Sequence, residues 1–166
     1  SALSYSTPNV YAVGTSISSL FPTNSGGIIT NYTISPSLPG GLVLNPVTGV
    51  ISGTPSIALA TTTFTITGTN SGGSTSTTIS IRVTDAAPTN LEYSTPIVLF
   101  KGVLFSPITP SNSGGTIVSY AISPALPAGL TFNTSTGTIT GRPTVPSAST
   151  NYTITGTNSG GTVSKI

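Results

Sequence analysis

Apolar and polar residues alternate with a period of two along much of this chain, and no stretch shows the three-to-four spacing of an amphipathic helix. Phe64, Ile66 and Gly68 take one parity, while Thr63, Thr65, Thr67 and Thr69 take the other. After Asn70-Ser71-Gly72-Gly73 the chain returns with Ile79, Ile81 and Val83 on a single parity. That pattern predicts a β-hairpin with one buried face, glycine permitting the tight reversal. An earlier turn has the same letters, Asn24-Ser25-Gly26-Gly27, and Ile28, Tyr32 and Ile34 follow it on one parity. A further hairpin joins residues 42–44 to 50–52 through Asn45-Pro46-Val47-Thr48-Gly49. Strands are expected over 3–6, 10–13, 16–20, 28–34, 42–44, 50–52, 63–69 and 75–83. Short strands with turns every 8 to 12 residues or so predict an antiparallel β-sandwich.

The segment Ser35-Pro36-Ser37-Leu38-Pro39-Gly40-Gly41-Leu42 interrupts the alternation. Proline removes a ladder donor and fixes φ, so this stretch is expected to cross between sheets instead of extending one. Leu38 and Leu42 are the residues expected to pin the crossing to the core.

The whole pattern occurs twice. Leu3-Ser4-Tyr5-Ser6-Thr7-Pro8 overlays Leu91-Glu92-Tyr93-Ser94-Thr95-Pro96 at a spacing of 88 residues, and the alignment continues without a gap to Ile166. Forty of the 78 overlaid positions are identical. A period this long is far above that of solenoid units and means two copies of one domain. The domains are expected at 1–86 and 87–166. Ile166 overlays Thr78, so equivalents of Ile79, Ile81 and Val83 lie beyond the sequence. The second copy is therefore expected to have a truncated last strand and to be the less stable. There is no initiator Met and no signal peptide, which reads as a segment of a longer protein.

The string Leu126-Pro-Ala-Gly-Leu-Thr-Phe-Asn-Thr-Ser-Thr-Gly-Thr-Ile-Thr-Gly-Arg-Pro143, followed by Tyr152-Thr-Ile-Thr-Gly-Thr-Asn-Ser-Gly-Gly161, resembles the bacterial immunoglobulin-like repeat family, which is similar to dystroglycan-type cadherin-like domains. Residues 38–55 and 64–73 carry the same resemblance. It implies an all-β chain of two tandem immunoglobulin-like (cadherin-like) antiparallel β-sandwiches, strung with further copies in a large secreted or cell-surface protein.

Composition narrows the function. Charged residues make up 4% of the chain, and Ser and Thr number 58. The mean hydropathy is +0.31, and β-branched residues abound, which separates this chain from disordered ones. Arg82, Lys101, Arg142 and Lys165 stand against Asp85 and Glu92, so the pI near 9.2 reflects few groups and no basic patch. Scattered cations do not make a nucleic-acid surface. No apolar run approaches the roughly 18 residues of a membrane span. Without Cys, nothing is implied about redox compartment.

With no His and no Cys, the usual base and thiolate nucleophile are missing, and only two carboxylates exist. No enzyme, catalytic residue, cofactor-binding residue or metal site is expected. The competing chemistry is a weak calcium site at the domain junction, formed by Asp85, Asn90, Glu92 and carbonyls, where cadherin-like modules place ions. Calcium wants six to eight oxygens, and two carboxylates are few. The Asn-Ser-Gly-Gly loops sit inside hairpins and lack the helix and lysine of a phosphate loop. The threonine rows, Thr63 to Thr69 and Thr153, Thr155 and Thr157, could present hydroxyls to ice or glycans, yet threonine is favoured on any solvated strand. Of the six tyrosines, Tyr5, Tyr32, Tyr93 and Tyr120 fall at repeat-equivalent positions, which indicates packing; Tyr11 and Tyr152 do not. Asn31, Asn133 and Asn151 begin glycosylation sequons by pattern. Lys101 or Lys165, with Glu92, could form an isopeptide bond to an Asn, but Val13 and Thr77 stand at the first-repeat positions. Leu99-Phe100-Lys101 replaces Tyr11-Ala12-Val13, the largest loop difference between copies.

The reading is a non-enzymatic spacer or adhesion module. The alternative is a carbohydrate- or receptor-binding module using loops or a strand face. The partner is an unidentified surface ligand, glycan or protein, and the location is extracellular or cell-surface.

Overall fold

A computed structural model describes residues 2–166, and among them only strands, turns and loops occur. The chain divides into two units, one running to Asp85 and the other covering Ala86–Ile166.

In the first unit the strands are β1 Leu3–Ser4, β2 Asn9–Ala12, β3 Thr23–Asn24, β4 Asn31–Ser35, β5 Leu42–Leu44, β6 Ile51–Gly53, β7 Leu59–Asn70 and β8 Gly73–Thr84. One sheet has the order β2-β8-β7-β4. Facing it are the pairs β1-β3 and β5-β6, with an antiparallel bridge from Leu20 to Ile51. The alternation read from the sequence is what closes the two layers. Phe64, Ile66, Ile79, Ile81 and Val83 point inward from β7 and β8 and are 0–2% exposed, and they meet Leu3, Tyr5, Tyr32 and Ile51 in one cluster. The proline-rich segment does cross between sheets: β4 belongs to the large sheet and β5 to a separate pair. Leu42 is buried, and Leu38 packs half-buried against the cluster.

Two expectations are corrected. Residues 16–20 form no strand; Ile17 and Leu20 donate to the carbonyls of Gly53 and Ile51 as isolated contacts. The strand expected over 28–34 begins only at Asn31, and Ile28 is 85% exposed. The residue that packs is Ile29. Gly68 leaves a gap near the end of β7, and a Cβ there would lie 2.6 Å from Ile29 Cδ1. The side chain of Ile29 fills a space that the strand itself does not, so parity cannot be extended back through the turn. One pair also departs from the antiparallel rule: β2 runs parallel to β8, Asn9 opposite Ile81 and Ala12 opposite Thr84.

The second unit contains β9 Pro88–Glu92, β10 Ser111–Gly114, β11 Ser119–Ser123, β12 Leu130–Phe132, β13 Ile139–Gly141, β14 Thr153–Asn158 and β15 Gly161–Lys165. Its sheet has the order β11-β14-β15, faced by β9-β10 and β12-β13, with a bridge from Ile108 to Ile139. Leu91, Tyr93, Ile117, Ile139 and Ile154 form the buried cluster. β15 has 5 residues where β8 has 12, and residues 97–100, the counterparts of β2, form no strand. Full burial of each of Ile79, Ile81 and Val83 contributes about 1.5–3 kcal/mol to the first unit.

Both units turn on a glycine. Gly49 has φ +71° and Gly137 φ +69°, the left-handed region that side chains rarely adopt. A Cβ at Gly49 would lie 2.7 Å from the Tyr32 ring and 2.8 Å from the Tyr5 hydroxyl. The same clash recurs at Gly137 with Tyr120 and Tyr93. Gly49→Ala and Gly137→Ala are expected to destabilise their own unit by roughly 1–3 kcal/mol from backbone strain, with the clash adding to it. Chemical denaturation with a probe in each unit checks this, and the unsubstituted unit should keep its midpoint.

Candidate functional site

The outward parity of β7, and of β8 as far as Ser80, carries hydroxyls, with Arg82 beyond them. Thr63, Thr65, Thr67 and Thr69 of β7 lie opposite Ser80, Thr78, Ser76 and Ser74 of β8, and Thr67, Thr65 and Thr69 lie opposite Thr33, Ser35 and Asn31 of β4. In the second unit Thr153, Thr155 and Thr157 of β14 oppose Ser123, Ala121 and Ser119, and Thr155 and Thr157 oppose Ser164 and Thr162. Some hydroxyls satisfy each other across the ladder. The Thr67 and Ser76 hydroxyls are 2.8 Å apart, and the equivalent Thr155 and Ser164 pair is at 2.9 Å. The expected threonine rows are thus present, with Thr63, Thr65 and Thr153 exposed and Thr67, Thr69, Thr155 and Thr157 half-buried.

The Asn-Ser-Gly-Gly loops close turns. Asn70 Oδ1 accepts from the Gly72 N–H at 2.8 Å, while its Nδ2 donates to the Ile28 carbonyl at 2.8 Å. Asn158 Oδ1 accepts from the Gly160 and Gly161 N–H groups, and its Nδ2 donates to the carbonyls of Ala86 and Thr116. Asn24 makes the same local closure with Gly26 and Gly27. Amide groups consumed in this way are not aimed at an anion. Of the sequon asparagines, Asn31 and Asn151 are exposed, whereas the Asn133 side chain accepts from the Ser135 and Thr136 N–H groups inside its turn.

Four tyrosines at repeat-equivalent positions belong to the cores, as expected. The Tyr5 hydroxyl donates to the Gly49 carbonyl at 2.6 Å, and the Tyr93 hydroxyl donates to Gly137 at 2.7 Å. Burial pushes both phenols well above their ordinary range, with the neighbouring Tyr32 and Tyr120 adding to the shift. Burial also raises Tyr120 and Tyr11. Sequence spacing shows that these rings recur; it does not show the carbonyl each one reaches, because donor and acceptor are 44 residues apart.

The charged residues are placed separately. Lys165 Nζ and Glu92 Oε2 form an ion pair at 2.6 Å, the lysine side chain 33% exposed and the glutamate 56%. An exposed pair of this kind contributes about 0–1 kcal/mol. Lys101 lies exposed in the loop after residue 100 and is not part of that pair. Among the described residues no group of three or more His, Cys, Asp or Glu gathers. The second unit also has an open groove of about 910 Å³ floored by Tyr93, Ile139 and Ile154, with the variant loop residues Leu99, Phe100 and Lys101 on its wall. The sequence difference at that loop was visible; the groove was not.

Comparison with known proteins gives one consistent picture. The family described as "Putative Ig domain" matches residues 2–84 and again residues 87–166. A "Serine-rich adhesin for platelets" of Staphylococcus aureus is 37% identical over 145 residues, covering 83% of this chain and 6% of the adhesin. The protein of the same description from strain MRSA252 is 36% identical over 145 residues, covering 83% of this chain and 10% of its own length. The chain thus spans a small part of these relatives. Among solved structures, Drosophila OTK extracellular domains 3-5 align with a TM-score of 0.57 at 16% identity, over 99% of this chain and 60% of that one. The insect immune protein hemolin aligns at 0.54 and 15% identity, over 97% and 44%. At these identities the likeness is one of fold.

The tyrosine contacts give the fold a pH dependence. A phenol whose folded pKa is raised stabilises the fold fully below its unfolded value of about 10 and loses that contribution as pH rises through the folded value. Stability is expected to fall from about pH 10 upward. Tyr5→Phe and Tyr93→Phe should flatten that fall, while lowering neutral-pH stability by about 1–3 kcal/mol through the carbonyl left unpaired. Denaturant midpoints measured from pH 7 to 11.5 or so test both effects.

Proposed function

Because the chain belongs to the Putative Ig domain family through both of its halves, we propose that it is a non-enzymatic spacer and adhesion segment of a larger secreted or cell-surface protein, built to hold its form under tension. The observation that carries this reading is the parallel pairing of β2 with β8. β2 lies near the start of the first unit and β8 at its end. Tension applied at the two ends pulls these parallel strands in opposite directions along their length, so the ladder is loaded in shear and its bonds must yield together. Side-chain and loop bonds reinforce the same seam. The Val13 N–H donates to the Thr84 carbonyl at 2.9 Å, the Thr84 hydroxyl to Tyr11 O at 3.2 Å, and the Ser80 N–H to the Thr7 hydroxyl at 3.0 Å. The adhesin relatives support an exposed location and a role in attachment; the missing His and Cys, and two carboxylates in all, support the absence of catalysis.

Single-molecule pulling tests the seam. Tension between residue 2 and Asp85 is expected to open the first unit in one step, at a force well above that needed when the unit is pulled from residue 2 and Ser71, which peels strands one bond at a time. Val13→Pro removes one donor of the seam and should lower the end-to-end force while leaving the peeling force unchanged. Equal forces in the two directions would defeat the reading. Calcium is not needed in it: melting temperatures in millimolar calcium and in chelator are expected to coincide.

A second reading, a carbohydrate- or receptor-binding module, draws on the hydroxyl face of β7 and β8. A glycan array distinguishes it. Retention that disappears in Thr65→Val and Thr78→Val would favour recognition over spacing.

A further inference from the structure

The two copies share one frame on their smaller layer and differ in what it shows to the outside. In the first unit Val43 pairs with Ser52, and the bridge from Leu20 to Ile51 lays a further segment along the other side of β6. Leu20, Leu44 and Ile51 pack on the core, so the opposite parity faces out. That parity carries Phe21, Val43 and Val50, and Val47 lies in the turn between β5 and β6. Val43 is 59% exposed, Phe21 68% and Val47 69%, and Val50 is half-buried beside Phe21. The second unit has the same strand register, Thr131 opposite Thr140, and the same bridge, Ile108 to Ile139. At the four equivalent positions it carries Thr109, Thr131, Ser135 and Thr138. The Thr131 and Thr140 hydroxyls lie 2.8 Å apart, and the Thr136 hydroxyl donates to that of Thr138 at 2.9 Å. The frame thus forms with hydroxyl residues at all four positions, and folding does not call for apolar ones. Apolar side chains exposed singly need no explanation, but four gathered on one face make a patch.

We infer that this face is a contact surface for a second copy of the chain, first unit against first unit. Charge selects the partner. In the first unit Arg82 and Asp85 cancel, and they lie on or just after β8, in the other layer. Two such faces meet without repulsion, and neither offers an ion for a charged partner to recognise. In the second unit Lys101, Arg142 and Lys165 against Glu92 leave a net +2, so second units repel one another. A two-fold arrangement sets Phe21 of each copy against the valines of the other. Size sets the strength. A patch of a few hundred Å² on each copy, with its rim, buries about 1,000 Å² in all, at the low end of the range for specific contacts. The contact is therefore weak and reversible, and it forms where chains stand close together. The β2–β8 seam belongs to the opposite layer, so the inference does not rest on the response to tension.

Sedimentation equilibrium of the 166-residue chain, from micromolar to millimolar concentration, tests the contact. A reversible monomer–dimer equilibrium is expected, with the same constant in about 0.05 and 0.5 M salt. Phe21→Thr, Val43→Thr, Val47→Ser and Val50→Thr together give the first unit the residues that the second already carries there. This variant should keep its circular dichroism and lower the association constant by roughly tenfold or more. A second measurement leaves the apolar face intact. The chain has no Cys, so Ser52→Cys places a single thiol opposite Val43. A short bis-maleimide should join Ser52→Cys chains into dimers at least about tenfold faster than Thr140→Cys chains, whose thiol occupies the same place on the hydroxyl face. A chain that stays monomeric, dimers that survive the fourfold variant, or equal cross-linking of the two cysteine variants would overturn the contact. Association that weakens with salt would place it on the charged groups and overturn this face. A monomeric chain that retains a neutral glycan, and loses it in Phe21→Thr, would assign the face to a sugar and overturn the second copy as its partner.

Discussion

The first unit is organised by one strand having a neighbour on each side. β8 is twelve residues long, pairs with β7 along nearly all of it, and lends its last four residues to β2. Its inward side chains supply three of the nine most deeply buried residues of the cluster. A strand in this position does more than add area. It gives β2 and the start of β7 a ladder, and a segment with a ladder keeps its side chains aimed at the core. In the second unit β15 reaches Lys165, and the corresponding flanks are irregular while their apolar residues face water.

A second constraint is independent of that strand and survives in both units. A tyrosine near the start of each repeat reaches a carbonyl at the end of a turn 44 residues later, and a glycine with positive φ keeps the approach clear of a Cβ. Asn45 and Asn133 set the same turn by accepting two backbone N–H groups each, from Val47 and Thr48 and from Ser135 and Thr136. Ring, turn and glycine are therefore selected together. Tyr5, Asn45 and Gly49 recur as Tyr93, Asn133 and Gly137 although many residues between them differ.

Much of this was legible in the sequence. Alternation identified the inward faces of β7 and β8 because both faces of a strand are written in its letters, and the 88-residue repeat identified the two copies. What alternation does not carry is direction or distance. Nothing in Asn9 to Ala12 says that they pair with β8 in parallel, and nothing in Ile28-Ile29 says which isoleucine packs. The latter was decided by a glycine 39 or so positions away, whose missing side chain makes room for Ile29. Residues 16–20 have strand-like letters but meet β6 only at separate points. For the candidate surfaces the limits were similar. The threonine rows were visible, their hydroxyl partners were not, and a groove formed by four separated segments has no signature in any one of them.

The hydroxyl faces have a consequence for the medium in which such a segment works. Six charged side chains among 166 residues leave almost no field for dissolved ions to screen, and Lys165 and Glu92 form an exposed ion pair. Most surface proteins trade part of their cohesion against ionic strength, which reaches a Debye length of about 8 Å in body fluids and less in brine. A sandwich covered in Ser and Thr holds through burial and hydroxyl contacts, neither of which is shielded by salt. Electrostatic screening should therefore change its stability little between dilute buffer and about 0.15 M salt.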